Sequence, residues 1–309
     1  MRQQTVEFFS EGCRLAGILR RPDHDEQGPA VVQGPGWLGL KDAKLYLPYH
    51  EALTAAGMTV LIFDYRGFGD SEGDRGILSP RNQLEDLINA VTFAQTLPSV
   101  DPLRIGVFGS GGTGGGNAVL LAAHDRRVSC AVSQVPVADG EDWLHRMRRE
   151  YEWYEFLARL DADRRIRVTT GSGALVHPRE EIMVPTPERR STTVKADVDD
   201  RIPSAVPLSA ADEILAYKPI DVAARARNLM VIGVEDDATT PTDHAVALYE
   251  AAPEPKKLIM QRMTTHYAAY AQHGDVVIPA IVDWYRNHLF AGSVSETTPH
   301  GTTTLKEGA

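Results

Sequence analysis

Short apolar runs recur along the chain, with stretches of helical period between them. Met58 to Phe63 is the clearest, an apolar run of the length expected for a strand buried on both faces. Arg104 to Phe108, Val128 to Val135, Leu229 to Val234 and Lys257 to Gln261 read the same way, and Ala30-Val31-Val32 leads into a turn at Gly34-Pro35-Gly36-Trp37. Residues 5–9 and 13–20 predict an opening antiparallel pair. Between these runs, helices fit 43–56, 81–97, 114–124, 242–252 and 275–289. In the second, Leu84, Leu87, Ile88 and Val91 share one face, and Ser79-Pro80 marks its start.

Strand and helix alternating in this order predict an α/β fold, a mostly parallel sheet with helices on both faces. The alternation stops over 139–215, a stretch that opens with aromatics at helical spacing (Trp143, Tyr151, Trp153, Tyr154, Phe156) and ends rich in Pro and Ser. The expected organisation is therefore a core of residues 1–138 and 216–290, a mainly helical cap inserted at 139–215, and a disordered tail at 291–309. The cap is expected over the carboxyl ends of the strands, where open α/β sheets bind ligands.

Composition narrows the class. The 309 residues are 43% hydrophobic and 24% charged, which excludes a largely disordered chain. No apolar run approaches the roughly 18 residues of a membrane span, and the first residues show no secretory h-region. Cys13 and Cys130 read as buried free thiols, and the chain as cytoplasmic. A formal charge of −10 opposes binding to phosphate backbones. Arg146, Arg148, Arg149, Arg164, Arg165 and Arg167 alternate with acids and predict a salt-bridged helical face rather than a nucleic-acid site. The expected partner is a small-molecule substrate, with no nucleic acid or membrane and with a homo-oligomer left open.

The most informative segment is Ile105-Gly106-Val107-Phe108-Gly109-Ser110-Gly111-Gly112-Thr113-Gly114-Gly115-Gly116, a strand feeding a glycine turn that opens a helix. A phosphate-binding loop needs a Lys after its last Gly, and none follows. Gly109, Gly111 and Gly114 satisfy a dinucleotide fingerprint, but Gln134 stands near where its acidic partner belongs. The remaining use is a nucleophile elbow, G-x-S-x-G.

Around that turn, Asp64-Tyr65-Arg66-Gly67-Phe68-Gly69-Asp70-Ser71-Glu72-Gly73 resembles the D-x-R-G-x-G-x-S-x-G stretch of α/β-hydrolases. Asp101 to Gly109 is similar to the strand entering their elbow, and Gly36-Trp37 to their oxyanion loop. Gly233-Val234-Glu235-Asp236-Asp237, with Pro241 following, resembles the loop of their acid, and Thr264-Thr265-His266-Tyr267 that of their histidine. The matches run in family order over roughly 10–290. The resemblance implies His266 as base, Asp237 as its acid, backbone N–H groups near Trp37 and Gly112 as oxyanion donors, and hydrolysis of an ester, amide or activated carbonyl in a small hydrophobic substrate. It calls for no cofactor, and no His/Cys/Asp spacing suggests a metal.

One position departs from the family. The alignment puts Gly111 where the nucleophile stands. Four explanations remain open from sequence: a loss of function, Ser110 acting instead, a register shift that uses Thr113, or His266 working without a covalent intermediate. The other readings are a binding protein on a hydrolase fold and a cofactor-independent lyase with His266 as base. Trp143, Tyr151 and Tyr154 are candidate pocket residues, while His244, His273 and His288 read as helix surface.

Overall fold

The computed structural model describes residues 1–24, 26–188 and 199–290. The tail at 291–309 and part of the stretch ending the 139–215 segment lie outside the described residues. Its strands are β1 (Arg2–Ser10), β2 (Cys13–Arg21), β3 (Gly28–Gly34), β4 (Thr59–Phe63), β5 (Val100–Gly112), β6 (Val128–Pro136), β7 (Leu175–Val176), β8 (Val206–Pro207), β9 (Leu229–Val234) and β10 (Lys256–Gln261). Eight of them form one sheet in the order β1-β2-β4-β3-β5-β6-β9-β10, and β7 pairs with β8 apart from it. β1, β2 and β4 pair antiparallel in sequence, and every other pairing in the large sheet is parallel.

The apolar runs divide between two cores because successive side chains point to opposite faces. Val31, Val60, Ile62, Phe108 and Ile232 pack on one side, with α1 (Leu47–Ala55) and the C-terminal helix Gly274–Leu289. Val32, Leu61, Val107, Ala131 and Val231 pack on the other, with α2 (Pro80–Thr96), α3 (Thr113–His124) and the helix Thr242–Ala251. Ser79 caps α2 by accepting the Asn82 N–H at 3.1 Å, with Pro80 in the first turn, where its missing N–H costs no bond.

Three local expectations change. The helix over 43–56 divides into a 3₁₀ turn, Lys44–Tyr46, and α1, because Pro48 removes an N–H that a continuous helix would need. β5 does not stop at Phe108 but continues through the glycines, with Gly109, Ser110 and Gly112 in register with Ser133, Gln134 and Pro136 of β6. The aromatic stretch after β6 is two helices, α4 (Gly140–Arg146) and α5 (Glu150–Thr170), followed by a π-helical turn at Pro178–Ile182 and then α6 (Ala210–Leu215). A 3₁₀ helix, Pro219–Arg225, comes next, and the remaining α-helices among the described residues are α7 (Thr242–Ala251), α8 (Ala269–Gln272) and α9 (Gly274–Leu289).

Four of the six arginines are salt-bridged as expected, while Arg148 instead donates to the Leu144, Glu181 and Ile182 carbonyls. Arg146 pairs with Asp142 and Asp243, Arg164 and Arg167 pair with Asp212, and Arg165 pairs with Asp161. Both cysteines are free, Cys130 buried and Cys13 only half-buried. His244 is not a surface residue. It is buried on α7, accepts the Ala138 N–H at Nδ1 (3.1 Å) and meets Asp142 at Nε2 (2.8 Å), so it ties α7 to the start of the 139–215 segment. No helix among the described residues is long and apolar enough to cross a membrane.

Beneath the sheet, His50 of α1 is fully buried. Arg20 Nη1 donates to its Nδ1 at 2.6 Å, which leaves Nε2 to donate to Gln33 Oε1. Burial first, and the Arg20 charge second, push its pKa down from 6.5 to about 3. The unfolded chain therefore binds a proton below about pH 6.5 that the folded chain refuses, so stability from this group is full above that pH and falls as pH drops towards 3. We expect the stability of the wild type relative to His50→Gln to decline by about 1.4 kcal/mol per pH unit between pH 6 and 4, read from urea midpoints.

Candidate active site

A cavity of about 360 Å³ opens where the parallel strands end. The loop after β3 supplies Gly36, Trp37 and Leu40, and the end of β5 supplies Gly111 and Gly112. The loop after β9 adds Thr239 and Thr240, and the loop after β10 adds His266 and Tyr267. The 139–215 segment forms the opposite wall with Trp143, Arg179, Met183 and Ile202. The lining is chiefly apolar, with a few polar groups placed in it, as small-molecule sites are.

His266 and Asp237 meet in this cavity. His266 Nδ1 lies 2.8 Å from Asp237 Oδ2, and both side chains are almost wholly buried. Asp237 is held from behind: its Oδ1 accepts the N–H groups of Thr239 (2.7 Å) and Thr240 (3.0 Å), and its Oδ2 accepts the Thr240 hydroxyl (3.0 Å). Burial works to raise the Asp237 pKa, but the His266 ring and the two N–H bonds outweigh it and keep the carboxyl below its usual value. With Nδ1 bonded to the carboxylate, Nε2 is the nitrogen left for the cavity.

Gly111 and Gly112 form the floor, both with positive φ (+69° and +48°) that a residue without a Cβ adopts freely. Gly112 also stands at the N-terminus of α3, where the helix dipole favours negative charge. At the border of the same cavity, the Trp37 N–H makes no hydrogen bond among the described residues. Trp37 Nε1 and Thr239 Oγ1, both buried at the wall, also lack a partner there. Arg179 is desolvated enough to lower its pKa, with the Tyr267 phenol opposing the shift.

The two hydroxyls of the turn are engaged elsewhere. Ser110 Oγ is buried and donates to the Tyr46 hydroxyl at 3.0 Å, and Tyr46 in turn accepts the Gly36 N–H. Thr113 is buried too, and its hydroxyl donates to Gln83 Oε1 at 3.0 Å. Neither points a free nucleophile into the cavity, and Thr113 is absent from its lining. Trp143 does line the cavity, its Nε1 donating to the Thr239 carbonyl (2.8 Å) and its ring edge-on to Trp37. Tyr151 and Tyr154 do not. They stand on the outer face of α5, 55% and 63% exposed, because the residues of that helix that turn inward are Trp153, Phe156, Leu160 and Asp163.

Sequence reasoning passes over two groups that shape the site. Gln83 of α2 accepts from Thr113 and donates from Nε2 to the Trp37 carbonyl at 3.1 Å, so one buried amide ties the loop after β3 to the start of α3. Tyr270, in α8, also borders the cavity. The only hint of Gln83 is a polar residue on the apolar face of a helix, and of Tyr270 a tyrosine one helical turn beyond His266.

A largely parallel sheet with an antiparallel edge, its cavity at the strand ends and a glycine turn between β5 and α3, is the architecture of an α/β-hydrolase. DcsB in complex with its substrate analogue superposes with a TM-score of 0.80 at 22% identity, over 94% of this chain and all of that one. The chain belongs to the family described as X-Pro dipeptidyl-peptidase (S15 family), which it matches over residues 11–268. Among its relatives, the 31.7 kDa protein of the traX-finO intergenic region of Escherichia coli is 30% identical over 92% of this chain and 99% of its own length. A thiohydrolase of Eupenicillium brefeldianum is 28% identical over 89% and 88%.

Replacing Gln83 by Leu strands the Trp37 carbonyl and the Thr113 hydroxyl. The variant should lose about 1–3 kcal/mol in urea unfolding, and Gln83→Glu, which buries an unpaired carboxylate against the Trp37 carbonyl, should lose more at neutral pH.

Proposed function

We propose that this chain hydrolyses an ester or thioester of a small apolar acyl group, and that water, not a side chain, attacks the carbonyl. The observation that carries this reading is the intact His266–Asp237 pair, at 2.8 Å, in a cavity whose elbow position is Gly111. A buried acid holding Nδ1 fixes the tautomer with a basic Nε2 and stabilises the imidazolium once a proton arrives. With no hydroxyl or thiol at 111, the proton it takes comes from water. The Trp37 N–H is the donor best placed for the developing oxyanion, beside the N-terminus of α3 at Gly112, whose own N–H is held in the β5–β6 ladder opposite Pro136.

The substrate class follows from the walls and from kinship. Leu38, Leu40, Leu45, Met183, Ile202 and Trp143 suit an apolar acyl chain. The relative named a thiohydrolase supports a thioester, which needs less help in leaving than an amine does. In this reading residues 139–215 are a cap that covers the acyl chain, and no cofactor takes part.

Turnover of p-nitrophenyl butyrate and of a short acyl thioester tests it. The wild type should be slow but measurable, and His266→Ala and Asp237→Asn should each fall by about 100-fold or more. Gly111→Ser should restore a covalent route, seen as a burst of leaving group, against a strain of about 1–3 kcal/mol from a side chain at positive φ. Wild-type turnover indifferent to His266→Ala would overturn the proposal. Activity in Gly111→Ser alone would identify the chain as an inactivated serine-type hydrolase.

A further inference from the structure

Gly111 leaves a space with one polar neighbour. A Cβ built there would stand 3.3 Å from Gly36 Cα and 3.7 Å from the Tyr270 hydroxyl, with no other heavy atom within 4 Å outside its chain neighbours, among the described residues. Tyr270 is 8% exposed and borders the same cavity as His266, four residues before it. Its ring is held edge-on by Tyr46 and Tyr49, both at 6.4 Å, and its carbonyl accepts the Tyr49 hydroxyl at 3.0 Å. The phenol therefore has little freedom to turn away from the gap.

Burial drives the Tyr270 pKa well above its usual value, and the neighbouring tyrosines add to that, while the Ser110 hydroxyl opposes it. The group stays a neutral phenol at working pH, able to give and accept a hydrogen bond but not to act as a base. A buried phenol oxygen that lines the cavity beside Gly111 suits a bound water, which needs polar partners to stay.

We infer that Tyr270 is a catalytic residue: its phenol oxygen holds the attacking water in the space that Gly111 leaves empty, beside His266. This rests on the hydrolytic reading above. One hydrogen of the water lies on Tyr270 Oη and the other on His266 Nε2, which leaves a lone pair facing the carbonyl. The water oxygen bonds to the carbonyl carbon, its proton passes to Nε2, and the C=O π pair moves onto the oxygen at the Trp37 N–H. On collapse the carbonyl reforms, the bond to the leaving oxygen or sulfur breaks, and the leaving group takes the proton from Nε2. Tyr270 keeps its own proton throughout.

High-resolution crystal structures and kinetics of the wild type, Tyr270→Phe, Gly111→Ser and the double variant test this. The wild type should show a water within about 3.2 Å of both Tyr270 Oη and His266 Nε2, absent from Tyr270→Phe. Tyr270→Phe should lower kcat by roughly 10- to 100-fold with KM nearly unchanged, and the burst rate of Gly111→Ser should suffer less from the same change, because there the serine makes the attack. A wild type that turns over through His266 but keeps its kcat in Tyr270→Phe, or lacks that water, overturns this assignment alone. A wild type inert on ester and thioester overturns the hydrolytic reading and this assignment with it.

Discussion

Where β5 turns into α3, main chain lies directly on main chain. A Cβ on Gly109 would stand 2.0 Å from the Gly114 carbonyl oxygen, and one on Gly114 would stand 2.5 Å from that of Pro35. Side chains at those points would wedge the turn open, so glycine there is a condition of the fold. The contact brings the loop after β3 against the first turn of α3, with Gly36 beside Gly111. Trp37 and Gly112 then border one cavity from two elements far apart in sequence, and Gln83 holds that distance with a hydrogen bond to each side.

Buried charge secures the same loop from behind. Lys41 Nζ meets Asp64 Oδ2 and Asp70 Oδ2 at 2.5 Å each, and Asp64, with no exposed surface, also accepts the N–H groups of Lys41 (2.8 Å) and Asp70 (3.0 Å). A carboxylate so placed is tolerable only because cation and amides satisfy it together, and losing one partner would leave an uncompensated charge. The network reaches the 139–215 segment through Arg201, which bonds Asp42 at 2.9 Å and Asp70 at 3.3 Å while its carbonyl accepts the Gly69 N–H. The wall carrying Ile202 is thereby joined to the loop carrying Trp37.

Much of the scaffold was legible because its signals are local. The runs around Val31, Val60 and Val107 are apolar at every step since both sheet faces are covered, and the strands of the large sheet differ from expectation only at their ends. β5 ran longer because its pairing with β6 depends on a neighbour's backbone, which no property of glycine announces. His244 was misplaced for a like reason: its helical position says nothing of Ala138 and Asp142, more than a hundred residues earlier, that fill its two ring nitrogens. Tyr151 and Tyr154 share an aromatic helix with Trp153 and Phe156, and only packing decides which of its faces turns inward.

The sequence by itself determined the order of strands and helices, the glycine turn and the lack of any side chain at 111, since these lie in period, backbone freedom and residue type. The tertiary structure alone decided which polar groups are free to act. It drew His266 onto Asp237 across 29 residues, gave the Ser110 and Thr113 hydroxyls to Tyr46 and Gln83, and set the Tyr270 phenol beside the empty place over Gly111. Such pairings join loops from different strands, so their geometry exists only once the sheet has brought the strand ends together.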